Sequence, residues 1–251
     1  MANQWFDQAL AGPGTLARTE EKVFDFNCVD TSLRGWRVMT DKGIGGSSEG
    51  TMSILEDKYL RFSGHLCPPF ELPSSRSPKP ETRKEEDGGD SASNQKQTPP
   101  EKRISNAFSV LQTEQGLLQS YDLEPYRSLL LKVRGDGRKY VVSLRTENWI
   151  IPGTVSDDVF QGYIQPTRGE WEEILLPFDK FLLTWQGKVL NDPVTMNHRN
   201  LFSMSFASVG LLPEETEEEG VKTADANDKK QGEQEGPFCL DIQWVKATTE
   251  V

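Results

Sequence analysis

The sequence has few of the residues from which metal centres, disulfide frameworks and nucleophilic dyads are made. Among 251 residues there are three cysteines, Cys28, Cys67 and Cys239, and two histidines, His65 and His198. No two cysteines stand in C-x-x-C spacing, and an odd number spread along the chain suits neither a disulfide framework nor a thiolate zinc site. The thiols are expected to be buried or incidental, in a reducing compartment. Positive charge is also scarce: 28 Lys and Arg face 39 Asp and Glu, a formal charge of −11, which argues against nucleic-acid binding driven by phosphate neutralisation. Long apolar runs are missing, so no spanning helix is expected. The first 22 residues carry Asp7, Glu20 and Glu21 with a single arginine, Arg18. They lack the apolar stretch of a secretory signal and the Arg-rich, acid-poor character of a mitochondrial presequence.

What the chain does have is rings, 12 Phe, 6 Trp and 5 Tyr, and alternation of period two. Phe238, Leu240, Ile242 and Trp244 point one way and Cys239, Asp241, Gln243 and Val245 the other, which is the pattern of a strand with an inward face. The same alternation sets Phe202, Met204 and Phe206 against Ser203, Ser205 and Ala207, and Tyr140, Val142 and Leu144 against Val141, Ser143 and Arg145. Further strands are expected at 23–26, 51–55, 59–63, 107–112, 129–134, 160–165 and 171–176, with Gly135-Asp136-Gly137 as hairpin chemistry between antiparallel neighbours. Single helical turns fit 177–183 and 197–200. Two segments interrupt the pattern. Residues 73–103 contain no aromatic and no aliphatic residue larger than Ala92, and residues 213–236 hold nine acids against three lysines; neither can bury surface to offset its ordering entropy, so both are expected to be disordered insertions. The reading is one all-β sandwich over 23–251 behind a 1–22 extension.

No local pattern designates catalytic or metal-binding residues. Gly43-Ile44-Gly45 begins like a dinucleotide fingerprint, but Ser48 stands at the third glycine and a strand rather than a helix follows. A backbone-constrained loop is the better reading. Arg134-Gly135-Asp136 is turn chemistry. Trp244 is expected in the core, whereas Trp36, Trp149, Trp171 and Trp185 lie beside Gly, Pro, Asn or charged residues, where rings serve a rim or a binding face as readily as packing.

The order and spacing of several pieces resemble the mitochondrial complex I intermediate-associated protein family, assembly factors of NADH:ubiquinone oxidoreductase. The pieces are Phe24-Asp25-Phe26 followed by Trp36; Asp41-Lys42-x-Ile44-Gly45-Gly46-x-Ser48; Tyr126-x-x-Leu129-x-Leu131-x-Val133-Arg134-Gly135-Asp136-Gly137-Arg138-x-Tyr140; Thr146-Glu147-Asn148-Trp149; Trp171-x-x-Ile174-x-x-Pro177-Phe178-x-x-Phe181; and Gly236-Pro237-Phe238-x-Leu240-x-Ile242. The resemblance implies a galactose-binding-like jelly-roll β-sandwich related to carbohydrate-binding modules. It implies a non-enzymatic chaperone without cofactor, metal or catalytic residue, bound to a membrane-arm intermediate of complex I. The implied location is the matrix side of the inner mitochondrial membrane, peripheral and without a transmembrane segment, with a cytoplasmic location as the alternative. The implied partners are complex I membrane-arm subunits and other assembly factors, an acyl-CoA-dehydrogenase-like flavoprotein and an adaptor among them, and no nucleic acid. Candidate partner-binding residues are Trp36, Asp41, Lys42, Gly45, Gly46, Ser48, Arg134, Asp136, Arg138, Trp149 and Trp185; for the glycine loop and the hairpin an architectural role stands beside the binding one. The alternative function is a carbohydrate- or small-ligand-binding module, with Trp149 or Trp185 as the platform.

Overall fold

Alternating side chains give each strand one apolar face, and such faces are stable only when packed on one another. The computed structural model describes residues 19–27, 33–56, 58–72, 104–114, 121–146, 158–185, 188–190, 196–198, 201–210 and 234–251. In chain order the strands are β1 (Glu20–Asp25), β2 (Trp36–Thr40), β3 (Glu49–Leu55), β4 (Tyr59–Leu66), β5 (Phe70–Glu71), β6 (Ile104–Ser105), β7 (Phe108–Thr113), β8 (Ser128–Arg134), β9 (Tyr140–Thr146), β10 (Asp158–Ile164), β11 (Trp171–Pro177), β12 (Leu182–Trp185), β13 (Lys188–Val189), β14 (Leu201–Val209) and β15 (Gly236–Thr248). One sheet runs β11-β8-β15-β4-β3 with β1 also on β15; the other runs β13-β12-β10-β9-β14-β7-β2. All these pairings are antiparallel. The inner faces meet in one core. Leu60, Phe62, Leu131, Val133, Leu240 and Ile242 of the first sheet face Leu111, Val142, Leu144, Phe160, Met204 and Phe206 of the second, all fully buried. The architecture is the antiparallel sandwich that the alternation predicts. Five strands escaped the sequence reading, β2, β12 and the two-residue β5, β6 and β13, and within 177–183 a single 3₁₀ turn forms at Phe178–Lys180.

The long strand β15 departs from its predicted alternation. Its N-terminal part pairs with β4 up to Ile242↔Leu60, and its C-terminal part pairs with β1 from Trp244↔Asp25. Gln243 sits at this hand-over as the extra residue of a β-bulge, seen as a register shift against β8 between Ile242 and Trp244. Adding one residue exchanges the two faces beyond it. Val245 and Ala247 therefore fill the core with no exposure, while Trp244 turns outward and lies only partly buried beneath the Lys246 ammonium, 4.3 Å from the ring centroid. The expectation of a core Trp244 is corrected accordingly. A second bulge at Phe202, between Leu201 and Ser203, likewise puts Leu201 inside and leaves Phe202 half-buried.

The Gly135-Asp136-Gly137 turn is not a hairpin between paired strands. β8 belongs to one sheet and β9 to the other, so the turn is a corner that carries the chain across the sandwich. The predicted insertion 73–103 lies outside the described residues, as does 213–233 of the second; the last three residues of that second segment belong to the fold. Gln234 donates from its backbone N–H to Gly210 at 2.7 Å and exchanges side-chain bonds with the Lys139 backbone at 3.0 and 3.1 Å, and Gly236 opens β15.

Candidate functional site

The glycine loop after β2 is built around a buried acid. Thr40 accepts the Lys42 N–H at 3.4 Å and caps a 3₁₀ turn, Asp41–Ile44, which Gly45 closes with φ of 103°. The Asp41 side chain turns inward and is fully buried. Its Oδ1 accepts the Ser48 N–H at 2.8 Å, and its Oδ2 accepts the Ser48 hydroxyl at 2.6 Å and the Phe108 N–H at 3.1 Å. Ser48 Oγ in turn accepts the Cys67 N–H at 3.1 Å. One carboxylate thus joins the loop to the start of β7, and through Ser48 to the end of β4, with the hydrogen bonds a buried charge needs. Among the sequence candidates, then, Asp41 and Ser48 are not surface contacts: burial makes them the support of the loop. Lys42 and Gly45 are exposed, Gly46 is half-buried, and Lys42 pairs with Glu49 at 2.9 Å.

The corner after β8 is organised the same way. Asp136 accepts the Arg138 N–H at 3.1 Å, the Tyr140 hydroxyl at 3.1 Å and the Cys239 N–H at 3.0 Å. Gly137 takes φ of 90°, a conformation natural to glycine, and Arg138 donates to the Glu235 carbonyl at 2.5 Å. The corner is thereby tied to the first turn of β15. Burial pushes the Tyr140 phenol far above its ordinary pKa, with the Asp136 carboxylate adding to the effect.

Arg134 points away from this corner, onto the outer face of the first sheet. There, register brings four residues of four strands into one row: Arg61 and Arg134 both lie opposite Asp241, and Trp171 lies opposite Arg134. Cross-strand partners share a face. Arg61 donates from Nε and Nη2 to the two carboxylate oxygens at 2.7 and 2.9 Å, and Arg134 donates from Nε and Nη2 to Oδ2 at 3.0 and 2.7 Å. Asp241 is only 2% exposed, whereas the arginine side chains keep 34% and 28% of their surface. The bonds to Asp241 hold both guanidiniums protonated beyond their ordinary range. Arg134 also donates to the Tyr59 hydroxyl at 3.3 Å and lies over two rings, 5.3 Å from the Tyr59 centroid and 4.9 Å from that of Trp171. The rings themselves meet edge-on at 5.3 Å. Beside this row runs a groove lined by Glu56, Lys58, Tyr59, Lys132, Arg134, Trp171 and Gln243. It lies where the Gln243 bulge marks the end of β4 and the start of β1. Glu56, on its rim, is the one non-glycine residue with positive φ among the described residues, at 54°.

The remaining tryptophan candidates fall elsewhere. Trp36 is 6% exposed and packs at 5.0, 5.7 and 6.5 Å against Phe24, Phe26 and Phe206; it is a core residue, because β2 turns that side chain between the sheets. Trp149 lies outside the described residues, and Trp185 ends β12 opposite Lys188. Sequence reading missed Tyr59, Arg61 and Asp241. The available signal was a charged residue at the outward phase of apolar strands, Arg61 between Leu60 and Phe62 and Asp241 between Leu240 and Ile242; which charges meet is fixed by register alone. Among the described residues no His, Cys, Asp and Glu side chains gather as a metal-holding group, and no helix is long and apolar enough to cross a membrane.

Comparison with known proteins gives a family. Residues 24–242 match the family Complex I intermediate-associated protein 30 (CIA30). A mitochondrial protein of that name from Drosophila melanogaster is 31% identical over 130 residues, covering 50% of this chain and 36% of the relative. Its namesake from Mus musculus is 38% identical over 135 residues, covering 52% and 33%. The chain spans about a third of the length of the curated relatives it matches. Among solved structures, the family 11 carbohydrate-binding module of a Clostridium thermocellum cellulosomal cellulase is similar with a TM-score of 0.48 at 12% identity, covering 91% of this chain and 94% of that one. A family 30 carbohydrate-binding module is similar with a TM-score of 0.43 at 11% identity, covering 92% and 99%.

Proposed function

The chain belongs to the Complex I intermediate-associated protein 30 family, and on that premise we propose that it is a non-enzymatic assembly factor of mitochondrial respiratory complex I. In this reading it holds a membrane-arm intermediate at the matrix side of the inner membrane until the next module joins, together with other assembly factors. The single observation that carries the reading is the reach of the family match, which takes in the sandwich from β1 to Ile242 of β15. The outer face of the first sheet supports it physically. Tyr, Trp and Arg held rigid beside one another on a partly exposed face are the side chains that anchor protein interfaces, and the chain's acidic surface suits selective, reversible docking.

The test is deletion of the gene in its own organism, with native-gel separation of inner-membrane complexes and tracking of a tagged copy. The expected pattern is loss of mature complex I, accumulation of membrane-arm fragments, and migration of the tag with those fragments but not with the finished enzyme. Normal complex I in the deletion strain, or a tag confined to the cytosol, refutes the reading.

A further inference from the structure

A strand at the edge of a sheet presents N–H and C=O groups with no neighbour to receive them, and folded proteins guard such edges with charge, proline, bulges or brevity. Among the described residues, four of the five edge strands of the two large sheets are guarded. β11 carries Glu172 opposite the core residue Val133 and ends in Pro177. β1 has Lys22 and a register shift between Lys22 and Phe24. β2 carries an exposed Arg37, and β13 is two residues long. β3 has none of these devices. It pairs with β4 alone among the described residues, in an uninterrupted register over the seven residues Glu49–Leu55, and from Gly50 to Leu55 it holds neither charge nor proline. Its core-facing Met52 and Ile54 are only half-buried, whereas their partners Phe62 and Leu60 on β4 are fully buried. The core is therefore open along this one edge.

The edge is complementary to itself. Antiparallel pairing of two β3 strands about Met52 sets Thr51 opposite Ser53, Gly50 opposite Ile54 and Met52 opposite its own copy, and opposite residues share a face. On the outer face the exposed hydroxyls of Thr51 and Ser53 meet; on the core face the absent side chain of Gly50 leaves room for Ile54, and the two half-covered Met52 side chains close over one another. Glu49 falls opposite Leu55 and keeps its own partner, Lys42 at 2.9 Å, so no like charges face each other along the paired strands. From these observations, and independently of the assembly reading, we infer that β3 pairs with β3 of a second copy of the chain, joining two first sheets into one through a two-fold contact. Net charge opposes the pairing, since two chains of −11 repel. Salt screens that repulsion beyond about 10 Å at 0.1 M and leaves the main-chain bonds in place, so the dimer tightens as ionic strength rises.

The test is sedimentation velocity of the full chain over a concentration series at low and high salt. A reversible monomer–dimer equilibrium that shifts towards dimer with salt is expected. Thr51→Lys combined with Ser53→Lys sets like charges opposite each other twice across the two-fold axis, and raises the dissociation constant by about tenfold or more. Thr51→Glu combined with Ser53→Glu does the same. Mixing the lysine and glutamate variants restores dimer as a mixed pair, and all of these chains melt as the parent does because both side chains are exposed. As a measurement that needs no charge variant, a photo-crosslinking residue at Ser53 is irradiated in the full chain in cells, and attachment to residues 49–55 of a second copy is expected. A chain that stays monomeric at every concentration and salt overturns the inference. So does a dimer that weakens with salt, one indifferent to the lysine and glutamate pairs, a mixture that stays monomeric, or a crosslink from position 53 to a different protein or to lipid.

Discussion

Gly46 lies against the Asp41 carboxylate so closely that a Cβ added to the glycine would stand 2.3 Å from Asp41 Cγ. The space is taken by a buried charge held by three hydrogen bonds. Gly46→Ala must therefore displace the carboxylate from at least part of this network, and a buried charge stripped of partners is among the most destabilising defects. A loss of about 3 kcal/mol or more in urea unfolding is expected. Gly43, with nothing near its missing Cβ, supplies the control: Gly43→Ala is expected within about 0.5 kcal/mol of the parent. Equal effects at the two positions would contradict the packing described.

The Asp241 row predicts a moderate, non-additive pattern. Asp241→Asn removes the charge from two guanidiniums that each retain about a third of their surface, so water takes over part of the lost interaction, and the expected cost is about 1–3 kcal/mol. With Arg61→Gln and Arg134→Gln it forms two double-mutant cycles through one shared carboxylate, and coupling energies above about 0.5 kcal/mol are expected in both. Additivity in either cycle would show that the corresponding ion pair contributes nothing in solution.

The bulge at Gln243 reverses the ordinary expectation for two neighbours. Val245→Ala, deep in the core, is expected to cost about 2 kcal/mol. Trp244→Ala, although it removes a far larger side chain, is expected to cost about 1 kcal/mol, mostly the stacking of the Lys246 ammonium. Chemical denaturation of both variants decides. A Trp244 variant much less stable than the Val245 variant would place the indole inside and the bulge elsewhere.

Stability is expected to fall at both ends of the pH scale, through identified groups. The half-buried His198 ring, packed on Phe178 at 4.6 Å, has its pKa lowered by burial, with Glu124 acting weakly in the opposite sense. The unfolded chain then binds the proton more readily, so stability drops as pH falls through about 6.5 towards the lower folded value. Burial raises the Cys239 thiol and the Tyr140 phenol. The unfolded chain releases these protons first, so stability drops as pH rises above about 9 and about 10. Melting temperatures across the pH range, with His198→Gln flattening the acid limb and Cys239→Ser and Tyr140→Phe flattening the alkaline limb, test the assignment; limbs unchanged in all three variants would reject it.

The sequence alone determined the class of fold. Period-two alternation is a local property, and it located ten strands and the apolar face of most of them because burial must follow the pleat. It also settled the backbone demands of the glycine loop, since Gly45 is read directly as a residue free to take positive φ. Tertiary structure decided what alternation cannot carry across an interruption. The bulge at Gln243 is a residue of β15 left without a counterpart in β8, a fact about a strand about 110 residues away in the chain, and it turned Trp244 outward and Val245 inward. The same holds for the corner at Gly135–Gly137: its composition specifies a turn, but whether the turn joins two strands of one sheet or crosses between sheets depends on which partners β8 and β9 find. The site followed that rule throughout. Arg61, Arg134 and Asp241 are separate charges in the sequence, and they become one cluster because antiparallel register sets them opposite one another across β4, β15 and β8, where a two-residue slip would part them while leaving every apolar face inward.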